Sequence, residues 1–455
     1  MSNSNSSSNV ILSLKEKLSY GASDAGYNLV FTVISSFLMF YYTDVAGVNI
    51  VAVGTLFLVV RVLDGVVSPI IGALIDKTNT RWGKIRPWFL WFTWPFAIIG
   101  VMTFSVPSIG ANGQIVYMYV TYILMNVLAS AVGVPITALL PSLTTNPQER
   151  IKANTFRCVC GQVSVLVASM ATLPLVAIFG RGNQKTGFFL TLLLYGVVAV
   201  CLQLTAFKNT KERVIVEKQK EAPLSTSIKA LVHNVPWWIL AILNFVIFTG
   251  IVVKLQATIY FFKYNIGNEN IASIANGLNA FAMILAMALV PIIAKKLKNK
   301  NIVILGLLIS IAGQLILYVA TTNHSIVITL MGAAIASFGL GGAQSIVFVM
   351  FADTVDYGEW KFKVRAQGLV TSAGTVGVQC GAGIAGVLMS FILSTSGFIP
   401  NVVEKASALN AISFCYVWLP IITLIICIVL ICFYRLDSCR EEMLSELAKR
   451  HNESV

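Results

Sequence analysis

Twelve hydrophobic stretches separated by short polar segments run through this sequence, and its positive charge falls on alternate sides of them. Taken in order, they leave all but seven of the 32 Lys and Arg in odd-numbered polar segments. Arg181, Lys185, Lys263 and Lys405 fall on the other side, and Arg61, Arg157 and Lys254 fall inside the stretches. Basic loops are kept on the cytoplasmic face, so the asymmetry predicts a multi-pass protein of the bacterial inner membrane with both termini in the cytoplasm. The formal net charge of +13 is explained this way and calls for no nucleic-acid partner. A mean hydropathy of +0.81 with 11% charged residues leaves too little polar surface for a soluble domain.

The spans are expected near 21–46, 50–75, 87–107, 114–141, 153–180, 185–207, 237–264, 270–293, 302–321, 325–352, 367–395 and 409–434. Each is long enough for about 30 Å of hydrocarbon. The predicted architecture is all-α: a cytoplasmic tail (1–20), a six-helix bundle (21–207), a polar central loop (208–236), a second six-helix bundle (237–434) and a cytoplasmic tail (435–455). The polar opening MSNSNSSSNV, followed by Lys15 and Lys17, has no apolar core of a removable signal peptide. The eight cysteines follow no zinc-ligand or disulfide spacing, and no metal site is expected. ERIKANTFR (149–157) and EWKFKVR (359–365) occupy matching places in the two halves, a faint internal repeat of the kind secondary transporters show.

LSYGASDAGYN (18–28), YYTDVAG (41–47), GTLFLVVRVLDGVVSP (54–69), DKTNTRWGKIRPW (76–88), NPQER (146–150) and ADTVDYGEWKFKVR (352–365) resemble the glycoside/pentoside/hexuronide cation symporters. These are the bacterial relatives of the melibiose permease, within the major facilitator superfamily. The resemblance implies alternating-access symport of a sugar with H⁺, Na⁺ or Li⁺, with no cofactor beyond the coupling cation.

Charge inside hydrocarbon costs roughly 2.5–3.5 kcal/mol on insertion scales, so it persists where it has a partner or a wet cavity. Arg61 and Asp64 lie one turn apart in the second span. Either they form a structural pair, or Asp64 is the coupling-ion carboxylate, as the resemblance implies, with Arg61 tuning it. Sodium-using relatives place a second acid one turn later, where this chain has Val67 and Ser68. Ser130 on span four stands where the family offers a hydroxyl. One carboxylate with two hydroxyls is a weak Na⁺ cage and an adequate proton site, which favours proton coupling.

Asp24, Asn28, Thr32 and Ser35 make a polar stripe on span one. Relatives that bind neutral galactosides carry acids at the positions of Asn28 and Gly133. Arg157 matches an arginine of the family's sugar site. Lys254 lies too deep in span seven to snorkel. Arg61, Arg157 and Lys254 against Asp64 make three bases to one acid, and this surplus predicts an anionic sugar of hexuronide or sulfosugar type. The alternative reading pairs Lys254 with Asp24 or Asp64 and leaves a neutral glycoside or pentoside as substrate. The lysine usual on span eleven is Gln379 here. Gln344, Thr375 and Gln379 are expected around sugar hydroxyls, beside flexible Gly339, Gly341 and Gly342, with Tyr27, Phe31 and Tyr260 as candidate aromatic platforms.

In the loops, Asp76, Arg81, Lys84, Arg86, Glu149, Arg150, Asp353, Asp356, Glu359, Lys361 and Arg365 are candidates for a charge network closing the cytoplasmic side. Topology alone would explain the bases but not Asp353, Asp356 and Glu359. A lipid or lysolipid transporter of the same fold is the other class to weigh. The amide and hydroxyl seams favour a polyol. No histidine lies inside a span, and no enzyme chemistry is visible. The sequence thus reads as a monomeric carrier of a small sugar, working in a lipid bilayer.

Overall fold

The computed structural model describes residues 11–144, 146–213, 229, 231–294, 296–322, 325–362, 367–402, 405–437, 442–443 and 445–446. Its first helices are α1 (Leu14–Phe40), α2 (Ile50–Lys77), α3 (Arg86–Thr103), α4 (Ala111–Leu143), α5 (Pro147–Gly180) and α6 (Gln184–Asn209). The chain continues with α7 (Val235–Tyr260), α8 (Asn270–Ile293), α9 (Asn299–Thr322), α10 (Ile326–Phe362), α11 (Gln367–Thr395) and α12 (Ala406–Cys432). Among the described residues, nine of these helices are long and apolar enough to cross a membrane. Their outward faces carry exposed apolar side chains such as Val197, Leu308 and Ile425, the surface that hydrocarbon covers.

Two compact units divide the chain between Glu217 and Lys218, inside the polar 208–236 connection. The first unit holds α1 to α6 and also takes 267–277 and 393–405. Within it α1 packs between α5 and α6, and α3 against α4 and α6. In the second unit α9 packs along α10, and α7 and α9 against α12. The tight α9–α10 contact comes from paired glycines: a Cβ at Gly306 would meet the Gly339 carbonyl at 2.6 Å. Gly341 likewise presses on the Met283 backbone of α8. These glycines, expected as flexible points, are instead positions of close helix approach.

Several boundaries move relative to the sequence reading: α1 already begins at Leu14, inside the expected 1–20 tail. The α10 helix runs to Phe362, so Asp353, Asp356 and Glu359 lie on its last turns and not in a loop. Those turns are held from the side: Asn299 Nδ2 donates to Asp353 Oδ2 at 3.4 Å and Asn234 Nδ2 to the Thr354 carbonyl at 2.9 Å. Likewise Glu149 and Arg150 lie in the first turn of α5. Charge stops an apolar window but does not stop a helix, which ends only where its backbone bonds lose their partners.

Three π-helical turns interrupt the regular pitch: Tyr41–Val45 after α1, Phe261–Asn265 after α7, and Phe414–Trp418 within α12. The first two stand in corresponding places, directly after the first helix of each half. Each leads into a glycine at positive φ, Gly47 at 76° and Gly267 at 81°, which a side chain would strain.

At one end of the first unit, three carboxylates tie the helix ends together. Glu212 accepts from the backbone N–H groups of Lys84, Ile85 and Arg86 at 2.8–2.9 Å, at the start of α3 where the helix dipole favours negative charge. Glu16 pairs with both Arg213 guanidinium nitrogens, at 2.6 and 3.1 Å. Buried Glu149 receives Lys17 at 2.6 Å, Lys152 at 3.0 Å and the Leu12 N–H at 3.2 Å. The hydrogen bonds from Lys17 and then Lys152 hold its carboxyl at about 2, well below the ordinary 4.5.

Candidate functional site

Most of α1 is buried, and along its middle the half-buried positions Asp24, Tyr27, Asn28, Phe31 and Ser35 recur at helical spacing. These are positions of α1 that its neighbours leave partly exposed. Thr32, expected on the same stripe, is only 9% exposed and packs inside, and Phe31 takes its place. The one-residue shift follows from 3.6 residues per turn, which four-residue steps overrun.

Opposite this face stands α5. Arg157 Nη1 lies 3.8 Å from Asp24 Oδ1, and Arg157 Nε donates to Asn154 Oδ1 at 3.0 Å. Asn28 Nδ2 donates to the Asp24 carbonyl at 2.9 Å, one turn back. Gly161 makes this approach possible, because a Cβ there would overlap the Asp24 carboxylate and meet Asn28 Nδ2 at 3.2 Å. The structure places Asp24 beside Arg157, a partner that the sequence reading did not name. Counting Asp24 reduces the buried positive surplus.

A second contact set comes from α4. A Cβ on Gly133 would reach the Tyr27 ring at 3.4 Å, so the position expected as a lost acid serves as a seat for an aromatic ring. Tyr27 in turn stacks on Phe31 at 5.2 Å and on Phe96 at 5.9 Å, both with 16° between planes. One turn before Gly133, Ser130 Oγ lies 3.3 Å from Ser68 Oγ on α2. Asp64, 6% exposed, precedes Ser68 by one turn. The structure therefore brings the two predicted hydroxyls together, one of them a helical turn from the predicted carboxylate. The side chains of Arg61, Asp76, Thr375 and Gln379 lie outside the described residues, as does Arg365.

In the second unit, Lys254 Nζ lies over the Tyr416 ring, 5.8 Å from its centroid. Tyr416 sits in the π-turn of α12 and stacks on Phe261, in the π-turn after α7, at 4.5 Å. A π-turn offsets the side-chain register, and such turns are frequent at functional positions. Tyr416 was missed in the sequence, since 162 positions separate it from Lys254 and no spacing joins them. Gln344 on α10 is 7% exposed. Tyr260, a candidate platform, is fully buried.

The predicted gate residues divide by role. Arg86 donates through Nε and Nη2 to the Phe207 carbonyl, at 3.2 and 2.5 Å, and so caps the last turn of α6. Arg150 caps α4 in the same way, through the Thr144 carbonyl at 2.6 Å and the Pro141 carbonyl at 3.1 Å. Cations at helix C-termini are favoured there by the unpaired carbonyls. Arg81 is exposed and lies 4.4 Å over the Trp82 ring. Asp353 is buried, while Asp356 and Glu359 are half-buried on the final turns of α10.

A family profile described as MFS/sugar transport protein matches residues 19–438. The chain is 42% identical to the isoprimeverose transporter of Lactiplantibacillus pentosus over 439 residues, covering 96% of this chain and 91% of that protein. It is 30% identical over 445 residues to a putative glycoside/cation symporter of Escherichia coli strain K12, covering 97% and 96%. The crystal structure of a D-xylose-proton symporter superposes with a TM-score of 0.65 over 91% of this chain and 96% of that one. At 14% identity this last likeness speaks for the fold alone. The matched relatives are transporters, and the match runs through both units. This chain belongs to the MFS/sugar transport protein family, as a multi-span membrane carrier of the glycoside and cation symporter type.

Proposed function

We propose that this chain carries an uncharged glycoside, of the kind isoprimeverose represents, in symport with a proton and by alternating access. The observation that carries the uncharged reading is the Arg157–Asp24 pair. An arginine already facing a carboxylate offers an anionic sugar less than the free base the sequence predicted. The relative at 42% identity, named for isoprimeverose, an uncharged disaccharide, supports the same reading. Asp24, Asn28, Asn154 and Arg157 supply hydrogen-bonding groups for hydroxyls. The Tyr27–Phe31–Phe96 stack supplies an apolar face for a sugar ring. Proton coupling rests on Asp64, one helical turn before Ser68, with Val67 and Ser68 standing where sodium-using relatives place a second acid.

An anionic substrate is favoured by one observation, the Lys254 ammonium held over Tyr416 in the second unit. Uptake into membrane vesicles separates the two readings. Labelled isoprimeverose is expected to accumulate under an imposed pH gradient, with little response to Na⁺, and a glucuronide is expected to compete poorly. Strong uptake of the glucuronide with none of isoprimeverose would overturn the uncharged reading, and strict Na⁺ dependence would overturn the proton.

A further inference from the structure

Within the second unit, the π-turn after α7 and the π-turn inside α12 wall a cavity of about 470 Å³, together with the end of α9 and the start of α10. That volume falls in the range of small-ligand sites. One wall is polar. Asn265, the last residue of the first π-turn, donates through Nδ2 to the Leu409 carbonyl at 3.2 Å and to Ser413 Oγ at 2.9 Å, and so ties the two turns together. Its buried Oδ1 has no hydrogen-bond partner among the described residues. Turning the amide over would leave an unpaired donor there and set two oxygens against each other at Leu409. Asn410, one turn before Phe414, adds an exposed amide. The other wall is aromatic: Tyr318 of α9 meets Trp418 of α12 at 5.1 Å with 62° between planes, Phe414 joins them, and all three rings are exposed. Among the described residues that line the cavity none is charged, and Lys263, in the same π-turn as Asn265, holds its ammonium over the Tyr264 ring at 5.0 Å.

We infer that this cavity is a second site for an uncharged glycoside, separate from the Asp24–Arg157 centre of the first unit. The sugar ring lies on Trp418 and Tyr318, and its hydroxyls meet Asn265, Asn410 and Ser413. The choice of sugar rests on the function proposed above. Aromatic faces with a few convergent amides and hydroxyls are what a polyol with an apolar C–H face needs. An acyl chain uses the rings but leaves the amides without partners, and a charged head group finds no counter-charge. Both π-turns belong to the walls, and such turns are frequent at functional positions.

The test is equilibrium binding of tritiated isoprimeverose to the full-length protein, in a detergent without a sugar head group. The parent is expected to bind two equivalents, and Arg157→Ala, which disables the centre on α1 and α5, to keep one. In the Arg157→Ala background, Trp418→Ala should weaken that remaining site roughly tenfold. Asn410→Leu, at an exposed position, should weaken it roughly fivefold. Alone, each of these two variants should retain the Arg157-dependent equivalent, which reports that it is folded. One equivalent in the parent and none in Arg157→Ala would overturn the inference and leave the proposed substrate in place. One equivalent that survives Arg157→Ala and is lost with Trp418→Ala would uphold the cavity and remove the sugar from the centre instead. No binding to the parent would overturn both readings. Residual binding that neither Trp418→Ala nor Asn410→Leu moves would place the second sugar elsewhere and overturn the inference. Loss of the Arg157-independent equivalent on transfer to phospholipid nanodiscs would give the cavity to an acyl chain, and the inference would fall with it.

Discussion

Arg157 on α5 holds its guanidinium 3.8 Å from the Asp24 carboxylate on α1, across a gap that stays open because residue 161 is glycine. The pair converts two isolated charges in a membrane helix bundle into a compensated polar centre, with Asn28 and Asn154 attached to it. Isolated charges in a membrane helix would be costly, whereas a paired centre is tolerated and remains able to bind hydroxyls.

The first prediction follows from that gap. Gly161→Ala should push the Asp24 carboxylate from Arg157 and destabilise the fold by roughly 1–3 kcal/mol, the usual range for overpacking. Thermal melting and sugar binding on the purified variant check it. A variant that melts and binds as the parent does would show that the contact relaxes freely.

Asp64 supplies the second. Asp64→Asn should abolish concentrative uptake while leaving exchange of labelled for unlabelled sugar in place, because neutralising the carboxylate removes the coupling site and not the sugar site. Ser68→Ala and Ser130→Ala, whose hydroxyls lie 3.3 Å apart, should weaken coupling far less. Normal accumulation by Asp64→Asn would return the residue to a structural role.

Tyr416→Phe should keep the seat of Lys254, and Tyr416→Leu should lose about 0.5–2 kcal/mol of stability with it, since the ring face and not the hydroxyl meets the ammonium. In a Lys254→Met background the two Tyr416 variants should lose most of this difference. Equal effects of Phe and Leu in the parent background would remove the ring from the account.

The fourth concerns pH. Glu149 is held at about 2 by Lys17 and Lys152, below the ordinary 4.5. A depressed carboxylate stabilises the fold fully above 4.5 and loses that contribution as pH falls through about 2. Glu149→Gln should therefore melt below the parent at pH 5 to 7, and the gap should close progressively in acid. A gap that is constant down to pH 2 would mean that shape, not charge, is what Glu149 contributes.

The sequence by itself determined the membrane class, the helix order and the family, because hydropathy and loop charge act residue by residue and survive without knowledge of contacts. It also pointed to Asp64, Ser68 and Ser130 as one group and to Asn28 and Arg157 as site residues. Only the tertiary structure decided that Asp24 faces Arg157, that Gly133 seats Tyr27, and that Lys254 rests on Tyr416. The partners in these pairs come from different helices, 133, 106 and 162 positions apart, and no periodicity links them. Arg86 and Arg150 illustrate the same limit, since a loop arginine reads as a gate charge until the carbonyls at the end of a neighbouring helix are seen to occupy it. Which positions of α1 stay partly exposed was likewise decided by packing: between α5 and α6 the helix turns Thr32 inward and leaves Phe31 half-buried.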